Sequence, residues 1–126
     1  CDDCVRRCPE AILIRGRGGF PRVDFSKGGC SFCGDCLEVC KGRALSGSVE
    51  DQASAWTLRA AIDDSCLSLR GVVCRSCGER CDEGAIRFKL ELRGVARPLL
   101  EPERCSGCGA CFAICPVKAV RIAPMC

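Results

Sequence analysis

Hydrophobic residues fall in short bursts along this chain, never in long stripes. The segment 86–90, read as Ile86, Arg87, Phe88, Lys89 and Leu90, alternates apolar and polar side chains with period two, which predicts a strand with one buried face. Shorter apolar runs at 11–14, 22–25 and 120–122 predict further strands. Two triplets, Leu37, Glu38, Val39 and Phe112, Ala113, Ile114, are each enclosed by cysteines and have room for a single helical turn. Between the first two strands, Arg15, Gly16, Arg17, Gly18 and Gly19 read as a hairpin turn, because a phosphate loop would need a Walker pattern and a following helix. Residues 46–64, opening on Ser46, Gly47 and Ser48, read as a linker, with Trp56 packed from it against one neighbouring unit. The expectation is therefore an α+β chain of two halves, 1–45 and 65–126, joined by 46–64. No stretch approaches the roughly 20 apolar residues of a membrane span, so none is expected.

Composition makes these halves look underbuilt. Among 126 residues there are five Phe, one Trp and no Tyr, too few large side chains to fill a core in either half. Sixteen cysteines stand in their place. The run Cys105, Cys108, Cys111, Cys115, Pro116 has the CxxCxxCxxxCP spacing of bacterial ferredoxins, whose thiolates hold [4Fe–4S] clusters. Cys30, Cys33, Cys36 and Cys40 repeat that spacing. Cys74, Cys77 and Cys81 keep its last three positions, with Cys66 further back. Cys1, Cys4 and Cys8, followed by Pro9, fit the last three positions of a fourth copy, whose opening cysteine is expected ahead of residue 1 in a longer chain.

Three thiolates spaced two residues apart can wrap one cubane, and the cysteine before the proline reaches the other cluster of a pair. Cys30 follows Cys8 by 22 residues and Cys105 follows Cys81 by 24, so the motifs pair as two similar halves of the two-cluster type. The resulting ligand sets are Cys8 with Cys30, Cys33 and Cys36; Cys81 with Cys105, Cys108 and Cys111; Cys115 with Cys66, Cys74 and Cys77; and Cys40 with Cys1 and Cys4. Three to four clusters are expected. Cys126 is left over, as a free thiol in the tail.

Other chemistry fits poorly. Zinc knuckles commonly employ His, of which there is none, and three evenly spaced cysteines would leave a surplus ligand at each zinc. A secreted disulfide framework does not produce repeated CxxCxxC runs. Thiols awaiting iron must stay reduced, which favours the cytoplasm. Without His there is no Ser/His/Asp set, and no GxGxxG follows a strand, so no enzyme active site is expected and one-electron transfer is the chemistry available. The formal charge of +3 counts every cysteine as neutral. Each oxidised cubane with four thiolates brings two negative charges, so the basic balance offsets cofactors and is no nucleic-acid signature. Fifteen of the nineteen basic residues are Arg, with Arg6, Arg7, Arg75 and Arg80 in or beside the motifs, placed to screen clusters or meet an acidic partner.

The whole chain resembles the NapF family, ferredoxin-type proteins of the periplasmic nitrate reductase system. The resemblance is carried by CDDCVRRCPEAILIRGRGGFPRVDF, by CSFCGDCLEVC, by Ala55 and Trp56 ahead of CLSLRGVVCRSCGERC, and by CSGCGACFAICPVKAV. The seven residues between Cys66 and Cys74 are its most specific element. Departures are Lys41 and Asp82, where a proline often follows the fourth cysteine, and the additional Cys126. The resemblance implies tandem ferredoxin-like units and a cytoplasmic accessory protein. Its implied partner is the catalytic subunit of periplasmic nitrate reductase, met before export, with electrons delivered during maturation. A general electron carrier, or a binding chaperone with clusters as structural staples, has the same motifs.

Overall fold

Four single-turn helices set the plan of the molecule, seen in a computed structural model that describes residues 1–47, 50, 56–91, 94 and 96–124. They are α1 (Asp3–Arg7), α2 (Asp35–Glu38), α3 (Ser76–Arg80) and α4 (Ala110–Ile114). Helices of four or five residues have no stability of their own, because nucleation costs more than one turn of hydrogen bonds returns. Each is bracketed by motif cysteines: it contains Cys4, Cys36, Cys77 or Cys111, and Cys8, Cys40, Cys81 or Cys115 follows within two residues of its end.

Short antiparallel ribbons separate the helices. β1 (Leu13–Arg15) and β2 (Pro21–Val23) pair with Leu13 opposite Val23, and their turn closes on the bond from Gly16 N–H to the Phe20 carbonyl at 2.8 Å. The glycine-rich stretch is the hairpin turn expected of it, with Gly18 at φ +71°. β4 (Ile86–Leu90) and β5 (Ala96–Leu100) form a second hairpin, with Phe88 opposite Pro98. β3 (Leu58–Ile62) pairs with β6 (Val120–Pro124), with Ala60 opposite Ile122 and Ile62 opposite Val120. Helix, hairpin, helix thus occurs in that order twice along the chain.

β3 corrects the linker expected at 46–64. Leu58, Ala60 and Ile62 alternate with Arg59 and Ala61 and close against β6, so the end of that stretch is sheet. Residues 48, 49 and 51–55 of that stretch, and Cys126, lie outside the described residues. β4 has the expected bounds, whereas β1 begins two residues later than the apolar run, and Phe25 opens a 3₁₀ turn (Phe25–Lys27) after β2 has ended.

The core is small. Ala60, Ile86, Cys111 and Val120 are buried together, with Ile62, Phe88, Phe112 and Ile122 packed around them. Among the described residues, Ile12 and Val120 are the largest side chains excluded from solvent. Such a core fits an α+β fold of the ferredoxin type, in which cysteine-lined space replaces apolar volume.

Candidate iron–sulfur centres

Three cavities are each lined by four cysteines. One is lined by Cys8, Cys30, Cys33 and Cys36 together with Ile12, Phe32 and Trp56. A second is lined by Cys66, Cys74, Cys77 and Cys115, closed by Ile62, Phe88 and Val120. The third is lined by Cys81, Cys105, Cys108 and Cys111, closed by Ala60, Ile86 and Ile122. Each cavity draws three cysteines from one motif region and the fourth from its neighbour. Among the described residues, no three Cys, Asp or Glu side chains converge as around a single metal ion. Four thiols stand on the walls of each of these cavities.

Helix pairing produces this exchange. α3 packs on α4 and α1 on α2, so the cysteine leaving one helix faces the loop that opens the other. Gly109, at φ +81°, reverses the chain between Cys108 and α4 and carries Cys111 inward, where it is buried. After each fourth cysteine, the residue three positions on is left-handed: Ala11 (φ +55°), Arg43 (+52°), Gly84 (+64°) and Lys118 (+55°). In two of these turns the reversal aims the next amide back at the thiol. Ala85 N–H reaches Cys81 Sγ at 3.3 Å and Ala119 N–H reaches Cys115 Sγ at 3.3 Å. In the Cys40 turn the donor comes one residue later, from Leu45 N–H at 3.4 Å. Phe32 N–H to Cys30 Sγ and Ala60 N–H to Cys105 Sγ, both 3.4 Å, complete a set of amide donors aimed at sulfur. Such donors stabilise thiolate and raise the potential of a bound cluster. Sequence spacing carries no signal for them, since they depend on backbone direction.

Burial and mutual repulsion hold several of these thiols in the protonated form. Burial, then the neighbouring thiols led by Cys66, pushes Cys77 up to about 11. Burial, then Cys108 and Cys105, pushes Cys111 up to about 12. Cys30 is raised chiefly by burial, and so is Cys36, to which Cys33 adds. Thiols so placed keep their protons at neutral pH unless metal charge compensates them. The four cysteines lining each cavity match in number and type the thiolate ligands of a [4Fe–4S] cluster.

The remaining candidates are disposed differently. Cys4 is buried on α1, and Cys40 is half-buried beneath Leu45 N–H. Cys1 is exposed, its thiol donating to Asp3 Oδ2 at 3.1 Å. Arg6 and Arg7 pair with Asp3 at 2.6 Å and Asp35 at 4.0 Å, exposed contacts of small energetic weight. The widened segment between Cys66 and Cys74 is no slack loop. It folds as a 3₁₀ turn (Ser68–Arg70), packs on β5 and is pinned by the buried Ser68 hydroxyl, which donates to the Ala96 carbonyl.

Trp56 is the feature that sequence reasoning placed incompletely. It meets both parts of the molecule, with its ring against Phe25 and Phe32 and its indole N–H donating to the Ser106 carbonyl at 3.1 Å. Its being the sole Trp was the available signal.

Cysteine-walled cavities within short helices and antiparallel ribbons define a ferredoxin-type [4Fe–4S] protein, and residues 72–119 match the family model of the 4Fe-4S dicluster domain. The chain is 42% identical to the ferredoxin-type protein NapF of Escherichia coli K12, over 95% of its own length and 71% of that protein. It is 44% identical to NapF of Haemophilus influenzae, over 95% of its length and 66% of that protein. The chain belongs to the NapF family of ferredoxin-type proteins. It is also 30% identical to a component of an ion-translocating oxidoreductase complex of Methanosarcina acetivorans, over 94% of the chain and 44% of that component.

Proposed function

We propose that this chain is a cytoplasmic electron-transfer protein, not an enzyme, that serves the maturation of the periplasmic nitrate reductase catalytic subunit before export. In this reading it is two tandem ferredoxin-like units. The cavity quartets are the ligands of three clusters, and Cys1, Cys4 and Cys40 belong to a fourth site. Bound clusters supply one-electron chemistry. The chain's residues hold them with thiolates, turn backbone amides toward the sulfurs and exclude water with Ile62, Phe88, Val120 and Ile122. The observation carrying the reading is the 42% identity to NapF over 95% of this chain and 71% of that protein. Replacing Cys105 or Cys108 by Ser is expected to leave nitrate reductase exported but poorly active. Normal activity in such a strain refutes the maturation role.

The likeness to a component of an oxidoreductase complex favours a second reading, a relay between a dehydrogenase and a reductase. Binding separates the two. The anaerobically loaded chain forms a specific complex with the cytoplasmic precursor of the catalytic subunit under the first reading, and none under the second.

A further inference from the structure

Two of the cysteine cavities meet across the halves of the chain. Cys30 N–H donates to the Cys108 carbonyl at 2.7 Å, a backbone bond between a residue of the first cavity and one of the third. Beside it, Trp56 reaches the Ser106 carbonyl at 3.1 Å, between Cys105 and Cys108, while its ring lies 5.6 Å from that of Phe32, between Cys30 and Cys33. Phe25 meets the Trp56 ring edge-on at 5.9 Å. Three of the chain's six Phe and Trp residues are thus gathered at this one contact.

The fit there is close on every side. A Cβ at Gly109 would lie 2.0 Å from the Phe25 ring. One at Gly107 would lie 2.8 Å from Trp56 Nε1, and one at Gly29 would lie 2.8 Å from Ala110. Phe32 holds φ +57°, a left-handed conformation costly for a bulky residue. Its tilted ring contact with Trp56 and its amide bond to Cys30 Sγ accompany that conformation.

We infer that Trp56 is a positioning residue: with Phe25 and Phe32 it holds the site of Cys8, Cys30, Cys33 and Cys36 at one fixed separation from the site of Cys81, Cys105, Cys108 and Cys111. This rests on reading those quartets as cluster ligands. The indole does two things that no aliphatic residue does together. It satisfies a carbonyl inside the partner motif, and it fills the space between the motifs with a rigid apolar plane. The two middle sites of the chain are thereby made neighbours, and the sites of Cys1, Cys4, Cys40 and of Cys66, Cys74, Cys77, Cys115 become the ends.

The test compares the native chain with Trp56→Ala and Trp56→Phe, each loaded anaerobically with ferrous iron and sulfide. Iron and sulfide content comes first. Electron paramagnetic resonance of the reduced protein then reads the magnetic interaction between neighbouring clusters. It is recorded in the otherwise native chain and in a Cys4→Ser, Cys74→Ser background that disables the outer sites. Hydrogen exchange of the peptide containing the Cys30 amide reads the junction itself. Trp56→Ala at native iron content is expected to lose interaction broadening and to speed exchange at the Cys30 amide about tenfold, with Trp56→Phe between the two. Iron content, broadening and exchange all unchanged in Trp56→Ala overturn the inference. Should Trp56→Ala load poorly, Phe25→Leu is read in the same way, with the same overturning result. A native chain that takes up no iron or sulfide overturns the ligand reading instead, an outcome distinct from a loaded chain indifferent to Trp56.

Discussion

Four residues in the left-handed region, Ala11, Arg43, Gly84 and Lys118, sit at one motif position, yet only one of them is glycine. A left-handed Ala, Arg or Lys costs about 1–2 kcal/mol, so the turn is imposed by what surrounds it and not by local preference. Nothing in the identity of Arg43 or Lys118 announces this conformation. Glycines are more legible when space decides. Gly109→Ala combines a left-handed φ with a contact at 2.0 Å from Phe25, and a loss of about 2–4 kcal/mol is expected from denaturation of the loaded protein. Gly71→Ala, at φ +87° with open space around it, is expected to lose only about 1 kcal/mol. Equal losses in the two variants would remove the steric argument at Gly109.

At the scale of elements, legibility followed pattern strength. β4 alternates cleanly and was read to its ends, whereas β5 carries Pro98 at its centre, a residue that demotes any strand to an edge. In two-stranded ribbons every strand is an edge, so Pro98 is tolerated there. β3 was hidden because it lies in a run read as linker, and its partner β6 is far along the chain. Three cysteine quartets line cavities; the amides that face some of those thiols became visible only with the fold. The turn at Ser68–Arg70 yields a sharper expectation. Ser68→Ala strips the Ala96 carbonyl of a buried donor, at a cost of about 1–3 kcal/mol. Iron should then leave the Cys66, Cys74, Cys77, Cys115 site first when a chelator competes, while the other sites release at the native rate. Uniform release from all sites would contradict this.

For the whole molecule, the balance between protein and cofactor decides stability. Among the described residues, Val120 and Ile12 are the largest side chains shut off from water, and the four single-turn helices cannot stand alone. Removing iron anaerobically is expected to abolish the far-ultraviolet circular dichroism of the native fold, and restoring iron and sulfide to return it. A native-like spectrum in the iron-free chain would show that the polypeptide carries its own core.

The junction also bears on how such a chain diversifies. Gly29, Gly107 and Gly109 leave no room for even one methyl group, and their opposing surfaces come from Ala110, Trp56, Leu58 and Phe25, each from the other half or from the stretch that joins them. Substitution on one side therefore has to be answered on the other. Halves exchanged between homologous parents should assemble when these seven residues travel as a set, and should fail when the crossover splits them. The heritable unit of this molecule is then neither half, but the seam.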